Sequence, residues 1–222
     1  MKNIYAIIPI SQFKNAKTRL SPFLSIDERE ELLKAMLKDV VGALKKHIEN
    51  ILIISYDDEV IDYANSLGVE TLKENENSNL NLGITQAMEY LKNKTKKVII
   101  MPSDIPLINK TNLKSLIAQS NQQNFIIVPS RGGGTNTLII KPLAIEMCFG
   151  DYSFFKHLKN ANENGLNPII YDSFFISLDV NITEDLGEIL LHGEGSNTKR
   201  YLQTLNIKVE SIHGAERLKV SR

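Results

Sequence analysis

The stretch that decides the fold lies at residues 98–107, which read VIIMPSDIPL. Four apolar residues are followed directly by a turn that contains Pro102, Asp104 and Pro106. A short apolar run bounded by turn residues is typical of a buried strand. The carboxylate therefore comes immediately after the strand, at the edge where the loops of an open α/β sheet bind ligands.

Seven further runs of this kind alternate with longer segments of helical period. The predicted strands are residues 4–10, 51–55, 69–72, 98–101, 125–128, 137–140, 169–171 and 176–179. The alternation predicts an α/β fold with a mostly parallel sheet flanked by helices on both faces. Ser25 and Glu28 form the capping-box pattern of a first helix, and Asp57 is suited to start a second helix that ends at Gly68. The polar residues 73–79 predict a mobile loop before a helix over residues 80–92.

Size and composition narrow the class of protein. The 222 residues, 42% of them hydrophobic, predict a single domain over residues 1–222 with one substantial core. Basic and acidic residues number 26 each, so no overall field attracts nucleic acid or a membrane surface, and neither is predicted as a partner. We found no signal peptide and no apolar stretch of ~20 residues, which predicts a cytoplasmic protein. Cys148 stands alone and the four histidines lack ligand spacing, which argues against a disulfide framework or a zinc site.

The loop after the first strand is basic. Lys14, Lys17 and Arg19 fall within six residues without an acid among them. Lysine offers point charges and arginine a planar fork, and the combination suits a triphosphate whose leaving pyrophosphate must be stabilised. The alternative is a solvated basic loop. The glycine-rich Walker pattern is missing, so a P-loop NTPase is not indicated.

Two aspartates are candidate metal ligands. Asp104 follows the fourth run and Asp179 ends the last one, and a divalent cation would satisfy either carboxylate at a strand end. Each also has an ordinary explanation, because Asp104 lies in a proline-rich turn and Asp179 lies just before helix-start residues at Thr183. A glycosyltransferase on a similar sheet would need two acids separated by one residue. Asp104 has no such neighbour, which favours nucleotidyl transfer.

Two segments are candidate anion sites. Three consecutive glycines at residues 132–134 precede Thr135, and their exposed N–H groups with the threonine hydroxyl can hold an anion. A plain hairpin turn would have the same sequence. Gly150 precedes Ser153 at the start of a predicted helix that reaches Gly165, and a helix amino terminus with a serine binds anions readily. Two such sites and one metal suggest two phosphorylated ligands.

Taken in order, these motifs resemble the 2-phospho-L-lactate guanylyltransferase family over about residues 4–190. The resemblance rests on Lys14 with residues 17–20, residues 103–106, residues 134–136, Phe149 and Gly150 with Ser153 and His157, residues 179–181 and residues 184–186. It implies a nucleotide-diphospho-sugar transferase-like fold related to the glycosyltransferase-A group, a requirement for GTP and Mg²⁺, and a role in coenzyme F-420 biosynthesis. The implied reaction joins GMP to 2-phospho-L-lactate or phosphoenolpyruvate and releases pyrophosphate. Members of the family and its fold relatives often pair, so a homodimer fits the resemblance.

The resemblance also assigns residues. It implies that Thr135, Gly150 and Ser153 hold the phospho-acid, that Asp104 binds the metal, and that Lys17 and Arg19 bind the triphosphate. Leu80 and Asn81 resemble the segment near the guanine. Relatives often carry a second acid where this chain has Asn181, and an amide oxygen adds no charge to a metal site, so the assignment of Asp179 or Asn181 stays open.

Two other functions remain open at this point. A different nucleotidyltransferase of the same fold would act on a molybdopterin, a sugar phosphate or a polyol phosphate. A non-catalytic nucleotide-binding module would keep the sheet without turnover. Retention of Lys17, Arg19 and Asp104 argues against the second alternative.

Overall fold

A computed structural model describes residues 4–76, 78–210 and 218–222. Its strands are β1 (Ile4–Pro9), β2 (Asn50–Ser55), β3 (Glu70–Lys73), β4 (Lys97–Ile100), β5 (Phe125–Pro129), β6 (Thr135–Ile140), β7 (Ile169–Ile170), β8 (Lys208–Glu210) and β9 (Lys219–Ser221). Its helices are α1 (Ile26–Leu44), α2 (Asp58–Ser66), α3 (Leu80–Leu91), α4 (Lys110–Ser120), α5 (Ser153–Glu163), α6 (Phe174–Ser177), α7 (Thr183–His192) and α8 (Asn197–Thr204). A short 3-10 turn, Thr18–Leu20, precedes α1.

Seven strands form one sheet in the order β3-β2-β1-β4-β6-β5-β7. β1 pairs in parallel with β2 and β4, and β5 pairs in parallel with β7. β6 runs antiparallel to both of its neighbours, and it alone is reversed among the described strands of this sheet. The predicted α/β fold with a mostly parallel sheet is therefore confirmed.

The predicted helix starts are also confirmed. The Ser25 hydroxyl accepts from the Glu28 amide at 3.2 Å, and the Ser25 amide donates to the Glu28 carboxylate at 2.9 Å. Asp57 accepts from the Val60 amide at 3.1 Å at the start of α2. Gly68 follows that helix with φ +64°, a left-handed conformation that glycine adopts without strain.

Helices cover both faces of the sheet. Alternate side chains of β1 point to opposite faces, so that Ile8 packs in a cluster with Leu37 of α1, whereas Ile7 packs in another with Ile84 of α3. Both strand residues are fully buried. Within the described ranges, the structure has no helix that is both long and apolar enough to cross a membrane.

Two features differ from the predictions. The run at residues 176–179 is not a strand: Phe174–Ser177 is the short helix α6, and Asp179 lies in the loop after it. Ile176 and Leu178 are both fully buried, and a short buried run does not distinguish a strand from a helical turn by periodicity. In addition, β8 and β9 form a separate two-stranded antiparallel sheet that the sequence patterns did not predict.

The reversed strand β6 bears directly on the site. Because β6 runs against β1 and β4, its first residue, Thr135, lies at the edge where those parallel strands end. The residues between β5 and β6 form a hairpin turn in which the Ser130 amide donates to the Gly134 carbonyl at 2.9 Å. Gly133 has φ +78° there. The glycine run is thus a hairpin turn, and it places Thr135 beside the loops of β1 and β4.

Candidate active site

A cleft of about 710 Å³ opens at this edge of the sheet. It is lined by the loops after β1 and β4, the start of β6 and the segments that lead into α3, α5 and α7. Ligands of open α/β sheets bind at the carboxyl ends of the strands, so the cleft lies where the fold predicts a site. Its size is that of a small-molecule ligand site.

One end of the loop after β1 meets the loop after β4. Lys17 donates a hydrogen bond to the Asp104 carboxylate, and both side chains are largely buried. Lys17 has φ +53° and Asn15 has φ +60°, so the loop folds back through two left-handed residues. The buried side chain of Arg29 on α1 supports this turn, since its Nε donates to the Ala16 carbonyl at 3.1 Å.

The loop between α6 and α7 completes this part of the cleft. Lys17 Nζ lies 3.5 Å from Asn181 Oδ1, and the Asn181 amide donates to the Asp179 carboxylate. The Asn136 amide on β6 donates to the other Asp179 oxygen at 3.2 Å. The Val180 amide donates to the Asp104 carbonyl at 3.0 Å. Asp104, Lys17, Asn181 and Asp179 are therefore joined in one chain of contacts.

The same loop is fixed from outside the cleft by Asp185. Its buried carboxylate accepts hydrogen bonds from the backbone N–H of Asn181 at 2.7 Å and from the backbone N–H of Ile182 at 2.9 Å. Arg131 forms an ion pair with the same carboxylate. These bonds satisfy free N–H groups at the start of α7. The position of Asn181 relative to Lys17 is thus set by the backbone.

The Asp104 carboxylate fits one requirement of a Mg²⁺ ligand. Its Oδ2 accepts from Lys17, while its Oδ1 is buried and has no hydrogen-bond partner in the part of the chain that is described. The described residues contain no cluster of three or more His, Cys, Asp or Glu side chains suited to a metal ion. Mg²⁺ is commonly bound by one or two carboxylates together with water and substrate phosphates, so such a cluster is not required. Asp104 and Asp179 are two carboxylates of the cleft that could hold such an ion.

Another part of the cleft is built from hydroxyl groups. The Ser153 hydroxyl lies 3.2 Å from the Thr135 hydroxyl, which lies 3.0 Å from His157 Nδ1. The Cys148 amide donates to His157 Nε2 at 3.0 Å. His157 is fully buried, and burial, with a smaller effect of the Lys156 charge, lowers the pKa of its imidazole to about 4. The ring is therefore neutral at pH 7.

The backbone amides near these hydroxyls are already bonded within the chain. The amides of Gly133 and Gly134 donate to Ser130, to its carbonyl at 3.1 Å and to its hydroxyl at 2.9 Å. The Ser153 and Phe154 amides at the start of α5 donate to the carbonyls of Gly150 and Gly133. These four amides therefore have partners within the chain, and the expectation that they hold an anion stays a prediction. The hydroxyls of Thr135 and Ser153 are side-chain donors in this part of the cleft, and the Ser130 hydroxyl, which accepts from the Gly134 amide, also lines it.

The structure brings together most of the predicted site residues. Lys17, Arg19, Asp104, Thr135, Gly150, Ser153 and Asp179 all line the cleft. Lys14 does not line it and is exposed. Asn81 is also outside the lining, because its side chain pairs with the Phe149 backbone, accepting from the amide at 2.7 Å and donating to the carbonyl at 3.1 Å. Lys14 and Asn81 therefore do not line the cleft in this structure, and their predicted contacts with substrate stay predictions.

Three residues of the site received no separate role from the sequence. Asn136 and His157 belong to the quoted motifs, and each is a buried polar residue in an apolar setting, which is the signal that could have identified them. Glu74 lies in the polar stretch before α3 and lines the cleft. Nothing in its local sequence separates it from its acidic neighbour Glu76.

Comparison with known proteins identifies the family. A family model described as "Guanylyl transferase CofC like" matches residues 4–222. The chain belongs to this family. The CofC-like chain is 63% identical over 222 residues to the 2-phospho-L-lactate guanylyltransferase of Methanobrevibacter smithii, with 100% of this chain and 99% of that protein covered. It is 58% identical to the protein of the same name from Methanobrevibacter ruminantium, with both chains fully covered. The family predicted from the motifs is therefore confirmed.

The fold of the CofC-like chain also matches a solved structure at low sequence identity. A protein from Desulfovibrio desulfuricans G20, described as a candidate nucleotide-diphospho-sugar transferase, aligns with a TM-score of 0.76 at 15% identity. The alignment covers 93% of this chain and 96% of that one. At this identity the likeness concerns the fold, and it agrees with the predicted nucleotide-diphospho-sugar transferase-like architecture.

Proposed function

We propose that this chain transfers GMP from GTP to the phosphate of 2-phospho-L-lactate and releases pyrophosphate, as a step of coenzyme F-420 biosynthesis. The names of its full-length relatives support the reaction. The observation that carries the proposal is the contact of Lys17 with Asp104 in a cleft that also presents the hydroxyls of Thr135 and Ser153. Such a cleft offers Lys17 and Arg19 to a polyphosphate and neutral hydroxyl donors to a second anion.

The chemistry requires charge neutralisation more than proton transfer. A phosphate oxygen of the acceptor forms a bond to the α-phosphorus of GTP, while the bond from that phosphorus to the bridging oxygen breaks and pyrophosphate leaves. The attacking oxygen is already ionised at neutral pH, so no general base is needed. The barrier arises mainly from repulsion between two polyanions, which positioning and positive charge reduce. Lys17 and Arg19 are the cationic side chains for this role.

The proposal includes Mg²⁺ bound through Asp104, with Asp179 as the second carboxylate. Support comes from the buried Asp104 Oδ1, which lacks a protein partner among the described residues. When bound there, the ion would supply positive charge to the phosphates. Lys17 now interacts with the other Asp104 oxygen and approaches Asn181 Oδ1. Asp104 Oδ2 and Asn181 Oδ1 thus both face a cation, the Lys17 ammonium group.

Guanine rather than adenine fits the end of the cleft beside α3. Glu74 lines this end, and burial raises the pKa of its carboxyl group. Its carboxylate lies close against Gly83, where a β-carbon would come within 2.3 Å of Oε1. A carboxylate only accepts hydrogen bonds, and guanine presents N1–H and N2–H donors on one edge whereas adenine has an acceptor at N1. Glu74 is therefore the residue that we expect to favour GTP.

The test is an incubation of the protein with GTP and a panel of acceptors, with pyrophosphate release as the measurement. Release with 2-phospho-L-lactate or phosphoenolpyruvate, and none with sugar or polyol phosphates, is the expected result. Release only with a sugar phosphate, a polyol phosphate or a molybdopterin would support the alternative nucleotidyltransferase. Failure with every acceptor and nucleotide would support a non-catalytic binding module. A cytoplasmic location and a homodimer stay predictions, and analytical ultracentrifugation measures the second.

A further inference from the structure

We propose that His157 is a positioning residue for the acceptor: held with its proton on Nδ1, it leaves one hydroxyl proton of the Thr135–Ser153 pair free to bind an anionic oxygen in the cleft. This inference rests on the proposed function for the identity of the anion. It extends that function because His157 itself does not line the cleft. The protons of three neighbouring groups, the His157 ring and the Thr135 and Ser153 hydroxyls, decide whether this donor exists.

The first step fixes the imidazole. The backbone amide of Cys148 donates to Nε2 at 3.0 Å. An amide cannot accept a hydrogen bond through its nitrogen, so Nε2 must be the unprotonated ring nitrogen. The fully buried ring has a low pKa and is neutral at pH 7, and its single ring N–H is therefore on Nδ1. The edge of the Phe149 ring, with centroids 4.7 Å apart, helps to hold this orientation.

The second step counts protons. Nδ1 lies 3.0 Å from the Thr135 hydroxyl, which lies 3.2 Å from the Ser153 hydroxyl. With a proton on Nδ1, these three groups carry three protons and share two contacts, so one hydroxyl proton remains for a ligand. With the proton on Nε2 instead, two protons would serve two contacts and none would remain. The tautomer thus decides whether the hydroxyl pair donates to the cleft or only accepts.

The third step concerns the competing donors. The nearby amides of Gly133, Gly134, Ser153 and Phe154 already donate to groups of the chain itself. Thr135 and Ser153 both line the cleft, and both side chains are more than nine-tenths buried. A hydroxyl that is held with its proton toward the cleft is a preorganised donor, because no reorientation is needed when an anion arrives. The acceptor affinity should therefore depend on a histidine that the acceptor does not touch.

A direct test observes the tautomer. In the ¹⁵N-labelled wild-type protein, long-range ¹H–¹⁵N correlation spectra report which nitrogen of each histidine ring is protonated. The His157 signals are identified by their loss in the His157→Asn variant. We expect the Nδ1–H form at pH 7 without any ligand. A ring protonated on Nε2, or on both nitrogens, would overturn the inference while leaving the proposed reaction unaffected.

A kinetic test uses a double-mutant cycle. His157→Phe should raise KM for 2-phospho-L-lactate on the order of tenfold, as expected for a weakened hydrogen bond to a charged group, with KM for GTP unchanged. His157→Asn keeps a side-chain N–H donor on the side where Nδ1–H lies in the histidine. It should therefore have a KM for 2-phospho-L-lactate between those of the wild type and His157→Phe. In the Thr135→Val background, His157→Phe should have little further effect, because the hydroxyl through which it acts is gone.

The outcomes separate the possible explanations. An equal effect of His157→Phe with and without Thr135 would mean a general structural role and would overturn the inference. Unchanged KM for the acceptor in a folded His157→Phe variant would overturn it as well. If no phospho-acid is a substrate of the wild-type protein, the proposed function fails, whereas the tautomer measurement still decides the position of the proton.

Discussion

Lys17 and Asp104 form an ion pair although 87 positions separate them in the chain. The pair joins the loop after β1 to the loop after β4, two strands that are neighbours in the sheet. Because parallel strands end at the same edge, the loops that follow them meet there. A basic and an acidic residue in those loops thereby become one electrostatic centre.

The first prediction concerns the charge of Lys17. Lys17→Met keeps most of the side-chain length and removes the ammonium group, and it should reduce kcat by on the order of 10²–10³. Lys14→Met is the matched control, since Lys14 lies in the same loop but is exposed and outside the cleft. Pyrophosphate release measures both variants. An equal reduction of kcat in Lys17→Met and Lys14→Met would show that only the overall charge of the loop matters.

The second prediction concerns nucleotide choice at Glu74. Glu74→Gln replaces one acceptor of the carboxylate by a donor, so it should lower kcat/KM for GTP far more than for ITP, which lacks the 2-amino group. ATP should remain a poor substrate of the wild-type protein. The measurement is the ratio of kcat/KM for GTP to that for ITP. A ratio that is the same in the variant and the wild type would remove Glu74 from base recognition.

The third prediction concerns acid sensitivity through His157. The folded chain keeps this ring neutral down to about pH 4, whereas the unfolded chain binds a proton near the ordinary value of 6.5. The unfolded state thus holds more protons between these two values, and stability falls as the pH is lowered through that range. The loss should be on the order of 3 kcal/mol when the pH has reached about 4.

Urea unfolding at several pH values checks this expectation. His157→Phe removes the titrating group, so its stability should change less than that of the wild type between pH 6.5 and 4. Glu28 is a second acid-sensitive group, because a hydrogen bond from Arg222 lowers the pKa of its carboxyl to about 2. The contribution of Glu28 to stability is lost at lower pH, between about 4.5 and 2, so it can be separated from the effect of His157. A parallel decline in both proteins above pH 4.5 would contradict the account.

The fourth prediction separates stability from activity. The Asp39 carboxylate accepts hydrogen bonds from the amides and side chains of Asn197 and Thr198 at 2.6–2.9 Å, and so ties the start of α8 to α1. Asp39→Ala should lower the free energy of unfolding by about 1–3 kcal/mol, since the amides lose their partner. The kcat of the folded enzyme should not change. Asp62→Ala, at an exposed position of α2, is the control and should have little effect on either quantity.

The sequence predicted those features that depend on local pattern. The capping box of Ser25 and Glu28, the turn at Gly68 and the parallel strands all follow from periodicity and helix-end chemistry. The meeting of Lys17 with Asp104 depends in addition on β1 and β4 being neighbours in the sheet, an order that the sequence patterns did not predict. Where the segment was short, as at residues 176–179 with Ile176 and Leu178 buried, the pattern could not separate helix from strand.

The sequence did not predict contacts that depend on side-chain direction. Asn81 directly follows a cleft-lining residue in the sequence, yet its side-chain amide hydrogen-bonds to the Phe149 backbone. Only the packing of α3 against the Phe149 loop determines this contact. The bond of His157 to Thr135 likewise joins the body of α5 to the start of β6. For the same reason the amides of the glycine run, which the sequence offered as anion donors, are used within the hairpin instead.

The measurement that tests the central claim most directly is the Mg²⁺ dependence of pyrophosphate release by Asp104→Asn and the wild type, with GTP and 2-phospho-L-lactate as substrates. The substitution keeps the size of the side chain but removes the negative charge that faces Lys17 and would face the proposed Mg²⁺. We predict a kcat lower by on the order of 10²–10³ even at saturating Mg²⁺, with an unchanged circular dichroism spectrum. A folded variant that responds to Mg²⁺ and turns over as the wild type does would contradict the account.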